Sequence, residues 1–393
     1  MKYADAVVIV GSGAAGHSCA RTLRQSGFTG GVLVVDAEGA GINRTLVDTG
    51  LLPGLLTAEQ IALPTLPEVE AVRGRVVGLE GDGRTVVLDD GRRLRGERLV
   101  IASGRTPRAL DRGIAVEAGA PLHPLHGIAD AERLRRAVPD PSAARVVVLG
   151  AGFIGAEVAS FYADAGAVVT LIGRSSRPLE RALGSGIAER LARRHAERTD
   201  FRWGRGVRAI RSASGGARGA RVELETAEAV GADAVIVAVG SVPAAAWAGF
   251  PGGIPTDDRL RVAGWDGVYA AGGAAAPRTA AGILRVDHWD AAAAQGAHAA
   301  RALLHDLGAG EDPGPYLPVS GFTLMAHGAA IAARGVRAEG AAEEEVALDG
   351  GGLLTRFIGA DGRVTGVAGW NAGARVAAEA ARIVADPDLA ATA

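Results

Sequence analysis

The chain has few residues of the kinds on which covalent and metal chemistry most often depend. Its 393 residues include one cysteine, Cys19, so a disulfide within the chain is impossible and a thiolate metal cluster is excluded. We interpret Cys19 as a small apolar filler rather than a nucleophile. Lys2 is the only lysine among 42 basic residues, so internal sites lack an ammonium group. No histidine pair has metal-ligand spacing, and we therefore predict no metal site.

Long apolar runs and blocks of one charge sign are also missing. No run approaches the roughly 20 apolar residues that span a bilayer, and the start of the chain lacks a basic stretch with a cleavable apolar core. These features predict a cytoplasmic protein without membrane contact. The formal net charge is −2, so nothing indicates a nucleic-acid surface. The length predicts two or three domains.

Short β-branched runs alternate with helical patterns over most of the chain, which favours parallel sheets with helical crossovers. The helical patterns cover His17–Ser26, Ala156–Ala165 and Ile187–Glu197. The runs that read as buried parallel strands are Ala6–Val10, Val32–Val35, Leu99–Ala102, Arg145–Leu149, Val168–Ile172, Ala234–Val239 and Gly267–Ala270. The remaining patterns predict a first antiparallel insert with strands Arg73–Leu79, Thr85–Leu88 and Arg92–Leu94 and a turn at Asp82-Gly83. A second insert has strands Val207–Ser212 and Arg221–Thr226, joined by a loop at 213–219. A C-terminal hairpin of Leu353–Ile358 and Val364–Trp370 turns at Asp361-Gly362, and a helix at 374–385 follows it.

A unit of strand, glycine turn and helix occurs twice, at Gly11 and at Gly150, which indicates an internal duplication. The predicted fold class is α/β, with two nested Rossmann-like dinucleotide-binding domains and a smaller α+β C-terminal domain. We predict a discontinuous first domain (1–110 and 238–307), a second domain (111–237) and a C-terminal interface-type domain (308–393).

The first glycine motif runs from Gly11 to Gly16, directly after a strand. Gly11 permits the tight turn, Gly13 lets the backbone approach a pyrophosphate, and Gly16 allows close packing of helix on strand. Asp36 ends the next strand, where it can accept from an adenosine ribose hydroxyl, and Glu38 is a nearby substitute. The motif predicts a dinucleotide site; the alternative is a purely structural turn.

The second motif runs from Gly150 to Gly155, again between a strand and a helix. Its next strand ends at Gly173, where a ribose-binding carboxylate would be expected. Arg174 and Arg177 follow instead. Guanidinium groups in that turn can pair with a 2′-phosphate, which favours NADPH, although NADH stays possible. Alternatively, both arginines are solvated loop charges.

The chain resembles the glutathione-reductase superfamily, and most of all the bacterial ferredoxin and rubredoxin reductases. The resemblance lies in both glycine motifs, in Ile101-Ala102-Ser103-Gly104, in Val239-Gly240 before Pro243, in Val268–Gly272 and in Asp287-His288-Trp289. It implies FAD at the first site and NAD(P)H at the second. The cofactor-binding residues so implied are Gly11, Gly13, Ala14, Ala15, Gly16, Asp36, Ala37, Glu38, Arg44, Val76, Ala102, Ser103, Gly104, Gly150, Gly152, Phe153, Ile154, Gly155, Glu157, Gly173, Arg174, Arg177, Val239, Gly240, Gly272, Gly273, His288 and Trp289.

Three departures from the family pattern fall around the expected flavin. Gly273 stands where the family has an aspartate that holds the ribityl chain. Thr49 stands where the family has a lysine beside the reactive edge of the ring. Val319–Phe322 replaces an aromatic-serine segment that covers the ring.

The segment Asn43–Leu52 resembles the family's flavin-facing loop. Asp48, Thr49 and Arg44 lie in this loop and are the candidate catalytic residues. Asp48 could exchange a proton with a substrate, or it could simply cap a helix N-terminus. Arg44 could orient an anionic substrate, or it could pair with a nearby carboxylate. His327 lies where the family covers the ring, and as a lone histidine it is more typical of a structural residue.

Three functions fit these patterns. In the first, NAD(P)H reduces FAD, which then reduces a ferredoxin-type electron carrier. In the second, the flavoenzyme acts directly on a small organic substrate. In the third, the chain is a nucleotide-binding scaffold that has lost redox turnover. We expect a monomer or a homodimer.

Overall fold

The computed structural model describes residues 6–81, 83–212, 219–279, 282–283, 287–316 and 321–384. Four of the sequence features lie wholly or partly outside these residues. They are the Asp82 turn, residues 213–218 of the second insert's loop, the pair Val319-Ser320 and the last residue of the closing helix, Ala385.

The amino-terminal unit is built on a five-stranded parallel sheet. The central strands Ala6–Val10 and Arg98–Ile101 are buried almost throughout because helices cover the sheet, and Ala6–Val10 is therefore a continuous apolar run rather than an alternating one. The helices Ala14–Gln25 and Trp289–Asp306 pack closely on each other, since a Cβ on Gly296 would lie 2.0 Å from the carbonyl oxygen of Ala15. In spatial order the strands are Val268–Ala270, Arg98–Ile101, Ala6–Val10, Gly31–Asp36 and Glu70–Arg73.

The second unit is another five-stranded parallel sheet, in which four adjacent strands follow the same order as in the first; its outer strand, Leu122–Pro124, comes first of the five in the chain, whereas Val268–Ala270 comes last in the first sheet. Its helices are Ile128–Ala137, Phe153–Asp164 and Ser185–Arg198. The strands in spatial order are Leu122–Pro124, Ala234–Val237, Arg145–Leu149, Val168–Gly173 and Asp200–Trp203. This topology confirms the α/β class with two Rossmann-like units.

Each parallel unit carries a small antiparallel sheet. The first contains Val76–Leu79, Thr85–Leu88 and Arg93–Arg95. The second contains Val207–Ser212, Ala220–Leu224 and Ala229–Ala232, and the short strand Ala115–Val116 joins its edge in parallel with Val207–Ser212.

The C-terminal unit is a five-stranded antiparallel sheet with the helix Gly373–Val384 packed on it. The predicted hairpin of Leu353–Ile358 and Val364–Trp370 is confirmed. Three further strands complete the sheet, namely Gly321–Ala326, Ala329–Gly335 and Ala342–Ala347. The remaining elements are the strands Arg105–Pro107, Ser241–Pro243, Ile254–Thr256, Ala275–Thr279 and Gly282–Ile283, the short α-helices Ala58–Ile61 and Glu180–Leu183, the π-helix Val47–Leu51, and the 3-10 helices Pro141–Ala143, Ala246–Ala248, Gly272–Ala274 and Asp349–Gly351.

Two sequence-based boundaries differ from the structure for identifiable reasons. Both nucleotide helices begin three residues earlier than predicted, at Ala14 and Phe153, because the second glycine of each motif is already the N-cap. The predicted run Arg73–Leu79 is wrong as one strand, since it divides between the parallel sheet and the antiparallel insert.

Candidate active site

The two glycine motifs have the same backbone geometry. Gly11 and Gly150 adopt φ angles of 103° and 107°, in the region that favours glycine. A Cβ on Gly16 would lie 1.8 Å from the carbonyl oxygen of Gly11, and the equivalent distance from Gly155 to Gly150 is also 1.8 Å. Helix and turn are therefore in direct backbone contact in both motifs, as a dinucleotide-binding turn requires.

The N-terminus of each nucleotide helix is open to a ligand. Gly13 and Gly152 are the N-caps, and neither helix receives a side-chain cap from the described residues. Apart from the adjoining residues of the chain, no described protein atom lies within 4 Å of a Cβ built on either glycine. The Ser12 hydroxyl is buried and has no partner among the described residues. Free N–H groups at a helix start with open space before them suit a diphosphate, so both mouths fit an adenine dinucleotide.

Asp36 is fixed at the edge of the first mouth. One carboxylate oxygen accepts a hydrogen bond from the Ser12 N–H at 3.0 Å, and the other accepts from the Glu38 N–H at 2.8 Å. Each carboxylate oxygen has a further lone pair that a ribose hydroxyl can use. Glu38 itself is exposed.

At the second mouth, the space around Gly173 is tight for a side chain. A Cβ there would lie 3.1 Å from the Ala151 Cβ and 3.3 Å from a ring carbon of Phe201. Arg174 is exposed, and its guanidinium has no hydrogen-bond or ion-pair partner among the described residues. Arg177, by contrast, forms an ion pair with Glu180 at 3.0 Å. The two predicted coenzyme arginines thus differ in their freedom to bind a phosphate.

Asp48 lies inside the π-helix Val47–Leu51, whose N-cap is Leu46. The capping interpretation of Asp48 is therefore wrong. Its side chain is buried and hydrogen-bonds with the carboxyl group of Glu157, which projects from the second nucleotide helix. A Glu157 oxygen also accepts from the backbone N–H of Met325 at 3.0 Å, so all three units of the chain meet at this acid pair.

Two buried carboxyl groups in contact cannot both be ionised at low cost. Burial raises the pKa of Asp48, and burial together with the charge of Asp48 raises the pKa of Glu157 to about 9. In the described part of the chain, neither carboxyl group has a cationic partner. The pair therefore holds a proton at neutral pH, shared between the two residues.

Thr49 and Arg44 make local contacts. The Thr49 hydroxyl donates to the Thr45 carbonyl oxygen at 2.8 Å, and the Arg44 guanidinium donates to the His126 carbonyl oxygen at 2.9 Å. The partner recorded for Arg44 is thus a backbone carbonyl rather than the carboxylate expected under one interpretation. Both contacts hold the loop in place, and a role for either residue in the chemistry stays a prediction.

His288 and Trp289 stand where the longest helix begins, with His288 as its N-cap. The His288 ring stacks on Phe322 with a centroid distance of 4.9 Å and meets Phe153 edge-on at 5.1 Å. Phe322 and Phe153 contact each other at 4.6 Å. This aromatic cluster joins the first residue of the second nucleotide helix to the C-terminal sheet.

The other predicted residues lie close to the two turns or along their strands. The carbonyl oxygen of Ala102, which precedes Ser103 and Gly104, lies 2.3 Å from a Cβ built on Gly11. The carbonyl oxygen of Ala238, which precedes Val239 and Gly240, lies 2.2 Å from a Cβ built on Gly150. Ala15 is buried in the first nucleotide helix and Ile154 is 40% exposed on the second, whereas Val76 begins the first antiparallel insert.

Sequence reasoning missed Arg105. Its Nε donates to the Ser241 hydroxyl at 2.7 Å and forms an ion pair with Asp287 at 3.0 Å. Its side chain crosses the space beside Gly273, the position at which the resemblance implies an aspartate. No local signal marks this arginine, because its partners lie more than a hundred residues away in the chain.

Three further features complete the description. His327 is buried, and its ring hydrogen-bonds with His195 at 2.8 Å. Cys19 is fully buried, which raises the pKa of its thiol to about 12.

Across the described ranges, no group of three or more His, Cys, Asp or Glu is arranged to hold a metal ion, and no helix is long and apolar enough to cross a membrane.

Known proteins match this arrangement over most of the chain. The family model for pyridine nucleotide-disulphide oxidoreductases matches residues 5–296. Rhodocoxin reductase from Rhodococcus erythropolis is 34% identical over 268 residues, which cover 65% of this chain and 61% of that protein. Rubredoxin-NAD(+) reductase from Pseudomonas putida is 30% identical over 289 residues, covering 70% of this chain and 72% of that protein. The match to rhodocoxin reductase thus spans about three fifths of that relative.

Among solved structures, the covalent putidaredoxin reductase–putidaredoxin complex contains a similar chain. The two chains superimpose with a TM-score of 0.85 at 26% sequence identity, over 99% of this chain and 96% of the other. The likeness therefore includes the C-terminal unit, which lies beyond the part that the family model matches.

Proposed function

Because the chain belongs to the pyridine nucleotide-disulphide oxidoreductase family, we propose that it is an FAD-dependent NAD(P)H oxidoreductase that passes electrons to a ferredoxin-type carrier protein. The observation that carries this proposal is the pair of open, uncapped helix mouths with matching geometry at Gly13 and Gly152. Its single cysteine is buried, so the chain has no dithiol for disulfide chemistry. The setting that suits this function is the cytoplasm, where NAD(P)H is formed.

Each mouth would hold one dinucleotide. In the first, the helix N–H groups after Gly13 would bind the FAD diphosphate, and Asp36 would accept from the adenosine ribose. In the second, the N–H groups after Gly152 would bind the coenzyme diphosphate. When bound, FAD supplies a group that takes two electrons as hydride and gives them up singly. The protein's contribution is to align the two ligands and to exclude water from between them.

For the coenzyme we propose NADPH in preference to NADH. Gly173 supplies no ribose-binding carboxylate, and the Arg174 guanidinium beside it, which has no partner among the described residues, can bind a 2′-phosphate. The related rubredoxin reductase is named for NAD(+). In this chain, the preference for NADPH over NADH therefore depends on Arg174.

The acid pair favours a second candidate function, the direct reduction of a small organic acceptor. Reduction of such a molecule by hydride requires one proton as well, and Asp48 and Glu157 together hold one. A one-electron carrier protein takes up no proton with its electron. The acid pair thus distinguishes the two candidate acceptors chemically.

Anaerobic titration of the purified, FAD-loaded protein with NADPH and NADH tests the main proposal. We expect flavin absorbance that NADPH bleaches at lower concentration than NADH, and cytochrome c reduction that depends on an added ferredoxin. A protein that takes up no FAD would contradict both candidates and favour a nucleotide-binding scaffold. NADPH oxidation that requires an organic acceptor, and that fails with ferredoxin, would favour the second candidate.

A further inference from the structure

The region around Gly273 differs in charge from the family pattern. The resemblance implies an aspartate there that holds the ribityl chain of FAD, and this chain has no side chain at that position. A Cβ on Gly273 would lie 2.3 Å from Cγ and 2.8 Å from Cδ of Arg105. These are atoms near the base of the arginine, so the whole side chain, and not only its flexible end, would have to move to admit any residue larger than glycine.

The Arg105 guanidinium is held in this place by contacts on several sides. Nε donates to the Ser241 hydroxyl at 2.7 Å, and Nη2 donates to the Ser241 carbonyl oxygen at 2.8 Å. Asp287 lies 3.0 Å from Nε, and the Ser241 hydroxyl also donates to Asp287. The side chain is only 16% exposed. An arginine so fixed is a preorganised cation rather than a mobile surface charge.

Arg105 lies between the two segments that approach the expected flavin. It follows Ser103-Gly104 directly, and the Gly104 carbonyl carbon lies 3.4 Å from a Cβ built on Gly273. Asp287, its ion-pair partner, immediately precedes His288, the N-cap of the helix Trp289–Asp306. The arginine therefore occupies the position in space that the family's acidic side chain would enter.

The guanidinium keeps donors for a ligand. Arginine has five N–H groups, and three have partners among the described residues, one of them a long contact of 3.4 Å from Nη1 to the Gly273 carbonyl oxygen. FAD carries two negative charges on its diphosphate and several hydroxyl oxygens on its ribityl chain. A cation with spare N–H groups binds such oxygens, whereas a carboxylate can only accept from the hydroxyls.

We propose that Arg105 is an FAD ligand of this chain, donating hydrogen bonds to the ribityl–diphosphate part of FAD in place of the missing aspartate, and that Gly273 is required to give Arg105 its space. This proposal rests on the proposed flavin-binding function. Under this proposal, the arginine at 105 and the glycine at 273 together replace the family's aspartate.

The test is the dissociation constant of FAD for the full-length apoprotein, measured by quenching of FAD fluorescence. Because a charge-assisted hydrogen bond is lost, Arg105→Ala should weaken FAD binding about 10- to 100-fold. Arg93→Ala is the matched control, since it removes an exposed, ion-paired arginine from the same unit and should leave FAD affinity unchanged. Equal FAD affinity in wild type and Arg105→Ala would overturn the proposal.

Gly273→Asp provides a second test that does not depend only on the removal of Arg105. In the wild-type background the new side chain collides with the base of Arg105, so FAD affinity and melting temperature should both fall. The double variant Arg105→Ala with Gly273→Asp restores the family arrangement and should bind FAD within about 5-fold of wild type. A double variant that binds no better than Arg105→Ala alone would contradict the exchange.

Asp287→Asn separates a ligand from a structural brace. If Arg105 binds FAD, its cation survives this change and FAD affinity should stay within about 3-fold of wild type. If Arg105 only braces the fold, Asp287→Asn should weaken FAD binding as much as Arg105→Ala does, and that result would overturn the proposal. Should Arg105→Ala fail to fold, Asp287→Asn and Arg105→Lys serve as the test instead. Arg105→Lys keeps a cation at this position, so its FAD affinity should stay within about 10-fold of wild type. A wild-type protein that takes up no FAD would instead refute the proposed function itself.

Discussion

The carboxyl groups of Asp48 and Glu157 are hydrogen-bonded to each other, although one belongs to the flavin-facing loop and the other to the second nucleotide helix. The resemblance implies a lysine at the residue next to Asp48, where Thr49 stands. A positive charge is thus replaced by an acid pair that stays partly protonated. The junction between the two nucleotide sites consequently responds to pH where the family pattern has a fixed charge.

Glu157→Gln should make the stability of the protein less dependent on pH. The pKa of Glu157 rises from 4.5 to about 9 on folding, so the folded protein keeps a proton that the unfolded chain releases. The contribution of Glu157 to the free energy of unfolding is therefore fully present below about pH 4.5 and is lost as pH rises towards about 9. Between pH 5.5 and pH 8.5, the melting temperature of the wild type should fall further than that of Glu157→Gln, by at least about 2 °C.

The control for this experiment is Glu189→Gln, which removes an exposed glutamate of the helix Ser185–Arg198. Its melting curve should keep the wild-type pH dependence. Parallel curves for wild type and Glu157→Gln would show that Glu157 is ionised in the folded protein over this range.

The glycines of the first mouth should respond differently to alanine. Gly13→Ala adds a Cβ that meets no described protein atom, so the protein should fold normally but lose FAD affinity, by about 10-fold or more, because the methyl group enters the diphosphate space. Gly16→Ala places a Cβ 1.8 Å from a carbonyl oxygen and should instead lower the melting temperature.

Gly152→Ala is the matched variant in the second mouth. It should keep FAD and raise KM for the nicotinamide coenzyme. FAD content, melting temperature and steady-state kinetics distinguish the three variants. Loss of FAD in Gly152→Ala, with retention in Gly13→Ala, would reverse the assignment of the two mouths.

Arg174→Ala should raise KM for NADPH about 10-fold and leave KM for NADH nearly unchanged, because the guanidinium at 174 has no partner in the described part of the chain and can bind the 2′-phosphate. Arg177→Ala is the comparison, since that arginine is already paired with Glu180 and should have a smaller effect. Steady-state kinetics with both coenzymes measure the difference. Equal changes in both KM values for Arg174→Ala would mean that the arginine does not recognise the 2′-phosphate.

The histidine pair predicts a loss of stability in acid. Burial lowers the pKa of His195 to about 3 and that of His327 to about 4, so both rings are neutral in the folded protein at neutral pH. The stability they contribute is present above about pH 6.5 and is lost as pH falls towards these values. His327→Asn should flatten the fall in melting temperature between pH 6.5 and pH 4.5.

Asparagine is chosen because residue 327 has a φ of 50°, a left-handed conformation that asparagine tolerates. His305→Asn, on the helix Trp289–Asp306, is the control and should keep the wild-type curve. An unchanged slope in His327→Asn would mean that the buried rings take up protons without unfolding.

How much of this site the sequence could reveal depends on how local each signal is. The glycine motifs could be found because turn, helix start and acid lie within about thirty residues and follow fixed spacing. Arg105 could not, because Ser241 and Gly273 lie 136 and 168 residues further along the chain. The same holds for Asp48 and Glu157, which meet only when the two units pack together.

The strands of the C-terminal sheet illustrate a second limit. Ala329–Gly335 is rich in alanine, and Ala342–Ala347 contains three consecutive glutamates. Such residues have low β-propensity, so these strands form because the neighbouring hairpin offers a sheet edge and not because of their own composition.

The close contact between Gly273 and the base of Arg105 also constrains the order in which the two positions can have changed. In an ancestor with aspartate at 273, arginine at 105 would have collided with the acid and cost stability and flavin affinity, so the change to glycine at 273 should have come first. Proteins that combine a small residue at 105 with glycine at 273 would be the surviving intermediates, and those that combine arginine with an acid should be missing from the lineage.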